Sequence, residues 1–592
     1  MATNIYFLNC FDTCVDDHLA GQVSVHPGQR LLEGPHRVVV RADVKKVIEQ
    51  GKVTLLCGGG SGHEPAFAGY VGEGLLSASV SGPVFTSPPP MSISAAINAI
   101  CTPESKGGCL LLLLNYTGDR LNFGLSLESC RSQWPKVSLD SIIIGEDCAS
   151  TSNTRSAGRR GLCGSILVMK IAGAMAEEGR SLAEITTVCR DVLKCICTIG
   201  LSLSGCTVPG VGPLFSLEAG EMELGLGLHG EAGVKRLKFS SAKDAVTVML
   251  DHMFNPDNCN GFRARSGEEV ACIINNLGGL TTIELNTIAK ETIKYLEYNK
   301  SLCVSRVYCG TFITSLNMRG VSVTLLHLNK TYKKYLDAPT TAPSWPRSYL
   351  PVGTTDRLTP TTVNVQTNTF TEKPKMTNTS AVKHVARHEL LKRVCESLLG
   401  NEEYLNQLDT VCGDGDCGST LARGAQVVIE RLNTVQQCYL AVDNWTNLAE
   451  DLAEIAKNCM GGTSGAIYCL FFTAAARELE QQSSDVTGAG WCKALGAGLE
   501  TIQRYSGANP GDRTMVDPLH SAYEMFGKTL KEKDLVSSFR LAVEAAESGA
   551  EATKSMSAQA GRASYVSSEL LDRPDPGAVG VALWLRAILD NL

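Results

Sequence analysis

One histidine stands in a segment that is rich in glycine, residues 225–233, with the sequence GLGLHGEAG. So flexible and open a backbone is typical of a loop that presents its side chain to a ligand, so we predict that His229 is functional. A histidine that only packs or braces a tight turn is the alternative. The segment also matches G-x-G-x-x-G, but the same pattern recurs from Gly413 to Gly418. We therefore do not interpret either copy as a dinucleotide site, because such a site also needs a preceding strand, a following helix and a later acidic residue.

A second glycine-rich segment follows a short aliphatic run. Residues 53–56 read VTLL and residues 57–65 read CGGGSGHEP, which predicts a strand that ends in a flexible loop. Such a loop suits close approach to a small polar ligand. We therefore predict a substrate-binding loop that contains Gly60, Ser61, Gly62 and His63.

Asp119 occupies a similar position after another strand. It lies in NYTGD, directly after a run of five leucines at 110–114. Ligand crevices in α/β proteins form at the carboxyl ends of strands, so Asp119, His63 and His229 are expected to converge on one pocket. Each of these residues alone would more often be structural than catalytic.

Three carboxylates are concentrated near the middle of the second half of the chain. Asp409, Asp414 and Asp416 form the pattern D-x4-D-x-D. In a partly dehydrated site they would repel one another unless a cation neutralised them, and oxygen ligands favour Mg²⁺ or Mn²⁺. The spacing does not match an EF-hand. A turn that caps the helix beginning near Ser419 is the alternative, but it leaves the third carboxylate unexplained.

Two further segments indicate a nucleotide. Residues 460–465 read MGGTSG and are predicted to open a helix, whose free backbone N–H groups can bind phosphate. Arg562, in GRASY, offers a cation for phosphate, and residues 510–514 are a plausible wall of the same site. A near match to a Walker loop at 522–529 lacks its leading glycine and lies in a helical pattern, so we discard it.

The elements that must position these residues divide the chain into two halves. Residues 1–336 alternate short aliphatic runs with helical stretches, which predicts an α/β domain with an internal division near residues 185–200. Residues 337–379 are rich in proline and threonine and predict a linker. Residues 380–592 show apolar spacings of three and four with abundant alanine and leucine, which predicts an all-α domain.

Composition limits the classes of function. The net charge of −7 offers no basic surface for nucleic acid, and the short basic run 155–160 is expected to be a solvated turn. No apolar run approaches the length of a membrane helix and no signal peptide is recognisable, so we expect a cytosolic protein that binds no membrane. The 23 cysteines are scattered without C-x-x-C spacing and are expected to be mostly free and buried.

Five motifs in fixed order carry a specific resemblance. GGGSGHEP, NYTGD, GLHGEAG, GDGDCG and GRASY together resemble the dihydroxyacetone kinase family, and most closely its animal two-domain enzymes. The resemblance implies that His229 bonds covalently to the substrate carbonyl as a hemiaminal, and that Asp119 is a general base with His63 as its partner. It also implies a helical-barrel nucleotide domain in which Asp409, Asp414 and Asp416 hold two metal ions.

The activity implied by the resemblance is ATP-dependent phosphorylation of dihydroxyacetone and D-glyceraldehyde, with a second FAD-AMP lyase (cyclizing) reaction that gives AMP and cyclic FMN. Mg²⁺ would serve the kinase, and Mn²⁺ or another divalent ion the lyase; a homodimer is also implied. We predict the following nucleotide contacts: Asp416, Cys417, Gly418, Ser419, Thr420, Gly461, Gly462, Thr463, Ser464, Arg562, Asp575 and Gly577. The rival hypotheses are an inactive scaffold of this fold and a metal-nucleotide subunit without triose activity.

The sequence departs from the family pattern at several positions that carry no predicted chemistry. The family often has histidine where Phe67 stands, glycine where Cys469 stands, and fewer prolines than the run at 88–90. Phe67 and the prolines could reshape the triose pocket. Cys417 replaces a histidine of the bacterial forms, which favours the form that uses ATP directly.

Overall fold

The computed structural model describes residues 6–151, 158–213, 215–231, 233–346, 357, 381–433, 440–442, 444–482, 486–567 and 571–592. The chain divides into two compact units, Met1–Val365 and Gln366–Leu592. Within the described residues, the first unit contains all the strands and the second consists of helices. The predicted combination of an α/β half and an all-α half is therefore confirmed.

The first sheet of the first unit has six strands: β1 (Gln29–Leu31), β2 (Val38–Arg41), β3 (Thr54–Ser61), β4 (Ala78–Val84), β5 (Cys109–Leu114) and β6 (Leu139–Ile144). Their order is β1-β2-β4-β3-β5-β6, and β4, β3, β5 and β6 run parallel. All residues of β3 and β5 are buried, as expected for parallel strands covered on both faces. Because β3 and β5 are parallel neighbours, the segments that follow them lie at the same edge of the sheet. The helices are α1 (Cys14–Val25), α2 (Val44–Glu49), α3 (Pro90–Ile100) and α4 (Thr117–Gln133).

The second sheet begins at Ile196. Its strands are β7 (Ile196–Ser202), β10 (Glu221–Leu224), β11 (Lys235–Lys238), β12 (Glu269–Asn276), β13 (Cys303–Gly310) and β14 (Gly320–His327), and a separate pair is formed by β8 (Thr207–Val208) and β9 (Gly212–Pro213). The order is β11-β10-β7-β14-β12-β13. The helices are α5 (Ser165–Glu177), α6 (Leu182–Lys194), α7 (Ala242–Phe254), α8 (Thr282–Lys294) and α9 (Lys330–Asp337).

One hydrophobic core joins the two sheets. Leu112 of β5, Ile166 of α5 and Ile273 of β12 belong to the same buried cluster. Nearly every residue of α5 is buried, so this helix packs between elements of both sheets. The two halves of the first unit are therefore held in a fixed relation by shared packing.

The first unit extends beyond its predicted end at residue 336. Trp345 is 9% exposed, the centroid of its ring lies 5.1 Å from that of Tyr308, and the backbone N–H of Ser344 donates to the carbonyl oxygen of Gly69. The start of the predicted linker, residues 338–346, thus packs on the first unit. Its remaining part, except for Arg357, lies outside the described residues.

The second unit contains nine described helices: α10 (Ala381–Gly400), α11 (Glu402–Asp409), α12 (Cys417–Asn433), α13 (Trp445–Ile455), α14 (Gly462–Glu480), α15 (Gly488–Ser506), α16 (Val516–Thr529), α17 (Leu535–Ala552) and α18 (Pro576–Asp590). Successive helices from α12 to α18 touch, and α10 contacts both α12 and α18. This closed ring is the predicted helical barrel, and it surrounds an apolar cavity of about 470 Å³. No helix in the described ranges is long and apolar enough to cross a membrane.

We expect residues 1–365 and 366–592, expressed separately, each to unfold cooperatively, because each unit has its own hydrophobic cores. Thermal unfolding followed by near-ultraviolet circular dichroism, with the full chain as the control, tests this expectation. A piece without a cooperative transition would show that its core depends on the other unit.

Candidate active site

His63 lies two residues past the end of β3. The end of this strand packs against Phe85 and Thr86, which precede α3. A Cβ atom at Gly62 would come within 2.8 Å of the Phe85 ring, and Gly62 has a left-handed backbone with a φ of +97°. His63 is 4% exposed, and its Nδ1 lies 2.9 Å from the carbonyl oxygen of Thr314. Because a carbonyl oxygen only accepts, Nδ1 carries the proton and Nε2 presents a lone pair.

His229 lies in the loop between β10 and β11 and meets His63. Their Nε2 atoms are 3.3 Å apart. The Nδ1 of His229 lies 3.2 Å from one oxygen of Glu231, and the other oxygen accepts the backbone N–H of His229 at 3.0 Å. Burial, together with the charge of His229, lowers the pKa of His63 to about 3, so His63 is neutral at physiological pH. Burial alone would raise the pKa of Glu231, but the hydrogen bond and charge of His229 lower it to about 2.

Aromatic rings surround the remaining sides of His229. The centroids of Phe85 and Tyr116 lie 5.3 and 4.7 Å from that of His229, both edge to face. Phe85 also stacks on His63 at 5.1 Å. The Tyr116 hydroxyl is buried and has no hydrogen-bond partner in the described part of the chain. His229 therefore lies among aromatic rings as well as the polar side chains of His63 and Glu231.

Asp119 lies in the first turn of α4, directly after β5. It is 7% exposed, and its carboxylate accepts the hydroxyl of Ser87 at 2.5 Å. Burial raises the pKa of Asp119 to about 6, while Ser87 and the charge of His229 act in the opposite direction. Asp119 is therefore mostly ionised at neutral pH and can accept a proton.

The structure brings the three predicted catalytic side chains into one region but not into one hydrogen-bonded chain. Within the described residues, the side chain of His63 hydrogen-bonds to Thr314 and His229, whereas that of Asp119 hydrogen-bonds to Ser87. His63 is therefore the direct partner of His229 in this structure, while the resemblance pairs it with Asp119.

Two charged residues near His229 are absent from the residues predicted from the sequence. Glu231 stands two positions after His229 in the same motif, which is the only sequence signal for it. Arg160 belongs to the basic run 155–160, and the prediction of a solvated turn is wrong for this residue. Its guanidinium donates to the carbonyl oxygen of Gly225 at 2.6 Å and so holds the start of the His229 loop.

The three predicted metal ligands converge in the second unit. One ligand atom from each of Asp409, Asp414 and Asp416 lies within 4.8 Å of the others. Asp409 ends α11 and accepts the backbone N–H groups of Asp416 and Cys417 at 2.9 and 3.1 Å. An ion pair with Arg562 lowers the pKa of Asp414, whereas burial and the two neighbouring carboxylates raise that of Asp416. This all-oxygen donor set fits Mg²⁺ or Mn²⁺.

The predicted phosphate loop opens α14. Gly461 and Gly462 have left-handed backbones with φ of +75° and +57°, and no heavy atom of the described residues lies within 4 Å of a Cβ built at either position. Within the described residues, the N-terminus of α14 has no side-chain cap, which leaves its first backbone N–H groups free for an anion. Arg423 of α12 donates to the carbonyl oxygen of Met460 at 2.7 Å and to the Thr420 hydroxyl at 2.9 Å. Arg423, which the sequence did not indicate, thus ties the phosphate loop to the helix that follows the metal ligands.

The third nucleotide segment lies before α18. Asp575 accepts the N–H of Ala578 at 2.9 Å, and burial raises its pKa to about 6, against the effect of Arg513. Arg513 is 1% exposed and donates to the carbonyl oxygen of Arg573 at 2.7 Å. A small apolar cluster joins this segment to the metal loop and the Arg562 turn, through Cys412, Ala563 and Leu571.

All twelve predicted nucleotide contacts lie in the second unit, at residues 416–420, residues 461–464, Arg562, Asp575 and Gly577. The Arg562 guanidinium pairs with Asp414, and Arg423 connects Thr420 to Met460. The side chain of Ser419 faces α11, because its hydroxyl donates to Glu402 at 2.7 Å. In the first unit, the loop of residues 60–63 brings His63 against His229, and Asp119 lies close enough for the charge of His229 to lower its pKa.

Known proteins match both units. Residues 20–344 match the Dak1 domain and residues 411–590 the DAK2 domain. The chain is 45% identical over 593 residues to the triokinase/FMN cyclase of Homo sapiens, with 100% of each chain covered. It belongs to the dihydroxyacetone kinase family. The family resemblance inferred from the five motifs is thus confirmed.

Other members of the family are similar in sequence and in structure. The triokinase/FMN cyclase of Mus musculus is 44% identical over 586 residues, which cover 99% of this chain and 98% of the mouse protein. The dihydroxyacetone kinase from C. freundii, solved in complex with AMP-PNP and Mg²⁺, is 31% identical and covers 100% of both chains with a TM-score of 0.67. Each of these two relatives therefore matches both units of this chain within a single chain of its own.

We expect Ser87→Ala to raise the pKa of Asp119, because the substitution removes a hydrogen bond that favours the ionised form. The wild-type carboxyl should titrate near pH 6 and the variant about one pH unit higher. The titration can be followed by ¹³C NMR of aspartate carboxyl groups, with Asp119→Asn identifying the signal.

Ser126→Ala is the matched control, because Ser126 lies on the same helix as Asp119 but donates to the carbonyl oxygens of Pro90 and Asn122. An unchanged titration in Ser87→Ala, or an equal shift in Ser126→Ala, would contradict the assigned role of Ser87.

Proposed function

We propose that this protein transfers the γ-phosphate of ATP to dihydroxyacetone and D-glyceraldehyde, and that its nucleotide site also cleaves FAD to AMP and cyclic FMN. The observation that carries the kinase proposal is the pocket of the first unit, where a ring nitrogen of His229 meets a neutral His63 close to the buried carboxylate of Asp119. Relatives named triokinase/FMN cyclase, similar over the whole chain, support the second reaction.

Substrate capture would use the Nε2 atom of His229, because Nδ1 is occupied by Glu231. Nε2 would add to the substrate carbonyl to give a hemiaminal. A three-carbon ketone offers little surface by which noncovalent contacts could distinguish it from glycerol. A nucleophilic imidazole, by contrast, requires a carbonyl, so covalent capture supplies the selectivity.

Phosphoryl transfer needs a base for the substrate hydroxyl that attacks the γ-phosphate. Asp119 is suited to this role because its pKa of about 6 leaves it ionised at neutral pH yet more basic than an exposed aspartate. Ser87 would hold the carboxylate in place. His63, which is neutral, would accept a proton from His229 and donate it to the carbonyl oxygen of the substrate.

In the second unit, Asp409, Asp414 and Asp416 would hold the divalent ions: Mg²⁺ for the kinase, and Mn²⁺ or another ion for the lyase. The bound ion supplies positive charge to the phosphate oxygens. The N-terminus of α14 would bind phosphate through its backbone N–H groups, and Arg562 would contribute its charge. FAD cleavage requires only this site, because a ribityl hydroxyl of FAD itself is the nucleophile and AMP is the leaving group.

We also propose a homodimer and a cytosolic location, which the family resemblance implies. Sedimentation equilibrium of the full chain tests the first, and a single species at the mass of one chain at micromolar concentration would contradict it. Fractionation of the native cells tests the second.

Separate substitutions should distinguish the two reactions. We expect His229→Ala to abolish triose phosphorylation and to leave FAD cleavage unchanged, because only the kinase needs the carbonyl tether. Asp414→Ala and Asp416→Ala should each reduce both reactions by at least about a hundredfold, because metal ligands are lost from the shared site. Triose phosphate and cyclic FMN can be quantified by chromatography in the same samples.

Asp572→Asn is the control for the aspartate variants, because Asp572 is an exposed carboxylate outside the metal cluster. Lyase activity that survives both Asp414→Ala and Asp416→Ala would refute the shared nucleotide site. Kinase activity that survives His229→Ala would refute the covalent tether.

A further inference from the structure

Glu231 contacts His229 twice, and no predicted role accounts for these contacts. One carboxylate oxygen lies 3.2 Å from Nδ1 and the other accepts the backbone N–H at 3.0 Å. A Cβ atom at Gly227 would come within 1.9 Å of a Glu231 oxygen, so the loop can hold the carboxylate here only with glycine at this position. The motif GLHGEAG therefore provides both the imidazole and the space for its partner.

A second charge helps to keep Glu231 ionised. The Arg160 guanidinium approaches the Glu231 carboxylate at Gly227, since a Cβ atom built on Gly227 would lie 2.7 Å from it. Arg160 lowers the pKa of Glu231, although less than His229 does. Asp147 accepts from the Arg160 guanidinium at 2.7 Å and so anchors it.

These contacts define the protons on the two histidines. A carboxylate only accepts, so Nδ1 of His229 carries a proton directed at Glu231. Nδ1 of His63 donates to Thr314, which leaves a lone pair on its Nε2. The 3.3 Å contact between the Nε2 atoms is attractive only if one proton lies between them, and His229 then carries a positive charge.

The charged and titratable groups around the ring are consistent with that charge. Glu231 and Asp119 are the carboxylates that interact with His229. His63 is neutral, and burial raises the pKa of Tyr116, which keeps its hydroxyl protonated. After His229, Arg160 is the cation that lowers the pKa of Glu231, and it is itself paired with Asp147.

We propose that Glu231 is the positioning residue for covalent substrate capture: its carboxylate fixes the Nδ1–H form of His229 and balances the positive charge of the ring. The proposal rests on the proposed covalent role of His229. In the step, the proton between the two Nε2 atoms moves onto His63, and the freed lone pair of His229 forms the bond to the carbonyl carbon. The C=O π pair moves to oxygen, which takes the proton from His63. The ring keeps its Nδ1 proton and its charge, so no further reactant is needed.

The test compares full-length wild type with Glu231→Gln, Glu231→Asp and Glu223→Gln, titrated with [2-¹³C]dihydroxyacetone and observed by ¹³C NMR. A hemiaminal carbon is distinguished from the free ketone by its chemical shift. Glutamine keeps the size of Glu231 without its charge, whereas aspartate keeps the charge. Glu223 supports the same loop through Gly233 and Arg236 at 2.7 and 2.8 Å, so its variant tests loop support alone.

We expect Glu231→Gln to weaken hemiaminal formation roughly ten- to a hundredfold, as for loss of a charged hydrogen-bond partner. Glu231→Asp should recover part of this loss and Glu223→Gln should resemble wild type. In ¹⁵N spectra of histidine-labelled protein, with His229→Ala identifying the signals, Glu231→Gln should alter the protonation of the His229 ring.

Several results would overturn the proposal. Wild-type affinity in Glu231→Gln with an intact hemiaminal signal refutes the role of Glu231 while leaving the proposed function standing. Equal losses in Glu231→Gln and Glu223→Gln, with unchanged ¹⁵N signals, reduce Glu231 to loop support. Absence of a hemiaminal in wild type itself refutes both the proposal and the covalent tether.

Discussion

The candidate active site of the first unit depends on one constraint, the 3.3 Å contact between the Nε2 atoms of His63 and His229. The two rings come from different sheets, His63 from the end of β3 and His229 from the loop after β10. Each sheet must therefore hold its histidine in place relative to the other. The core shared by β5, α5 and β12 does this, because close-packed side chains allow little relative movement. The reactive nitrogen is consequently positioned by packing far from the pocket as well as by its own loop.

Burial then gives each group in the pocket a different protonation state. It keeps His63 neutral, and it raises the pKa of Asp119 to about 6 without preventing ionisation at neutral pH. Glu231 remains ionised because His229 and Arg160 offset the cost of its burial. At the predicted metal site the carboxylates of Asp409, Asp414 and Asp416 lie close together and repel one another. The Arg562 guanidinium offsets the negative charge of Asp414. Both sites thus concentrate like or buried charges that need a specific partner.

The sequence was sufficient for the features that depend on local pattern. The five leucines before Asn115 form β5 together with Cys109, the glycines at 461 and 462 open α14, and the three aspartates converge as their spacing predicts. Contacts between distant segments could not be predicted in this way. Ser87, Thr314 and Arg423 have no local signal, since the fold alone brings them to Asp119, His63 and Met460. Arg160 was misjudged for the same reason: a basic run usually lies in solvent, but here the Arg160 side chain is only 25% exposed and pairs with the buried Asp147. The proline-rich composition after residue 337 likewise did not indicate that Trp345 packs on the first unit.

The central claim is that His229 captures its substrate covalently in the pocket that it forms with His63 and Asp119. A crystal structure of the full-length protein with dihydroxyacetone tests this most directly. The account predicts continuous electron density at single-bond distance between Nε2 of His229 and the central carbon of the substrate, with a substrate hydroxyl within hydrogen-bond reach of Asp119. Dihydroxyacetone bound only at van der Waals distance from His229, or bound in another cavity of a protein that still phosphorylates it, would contradict the account.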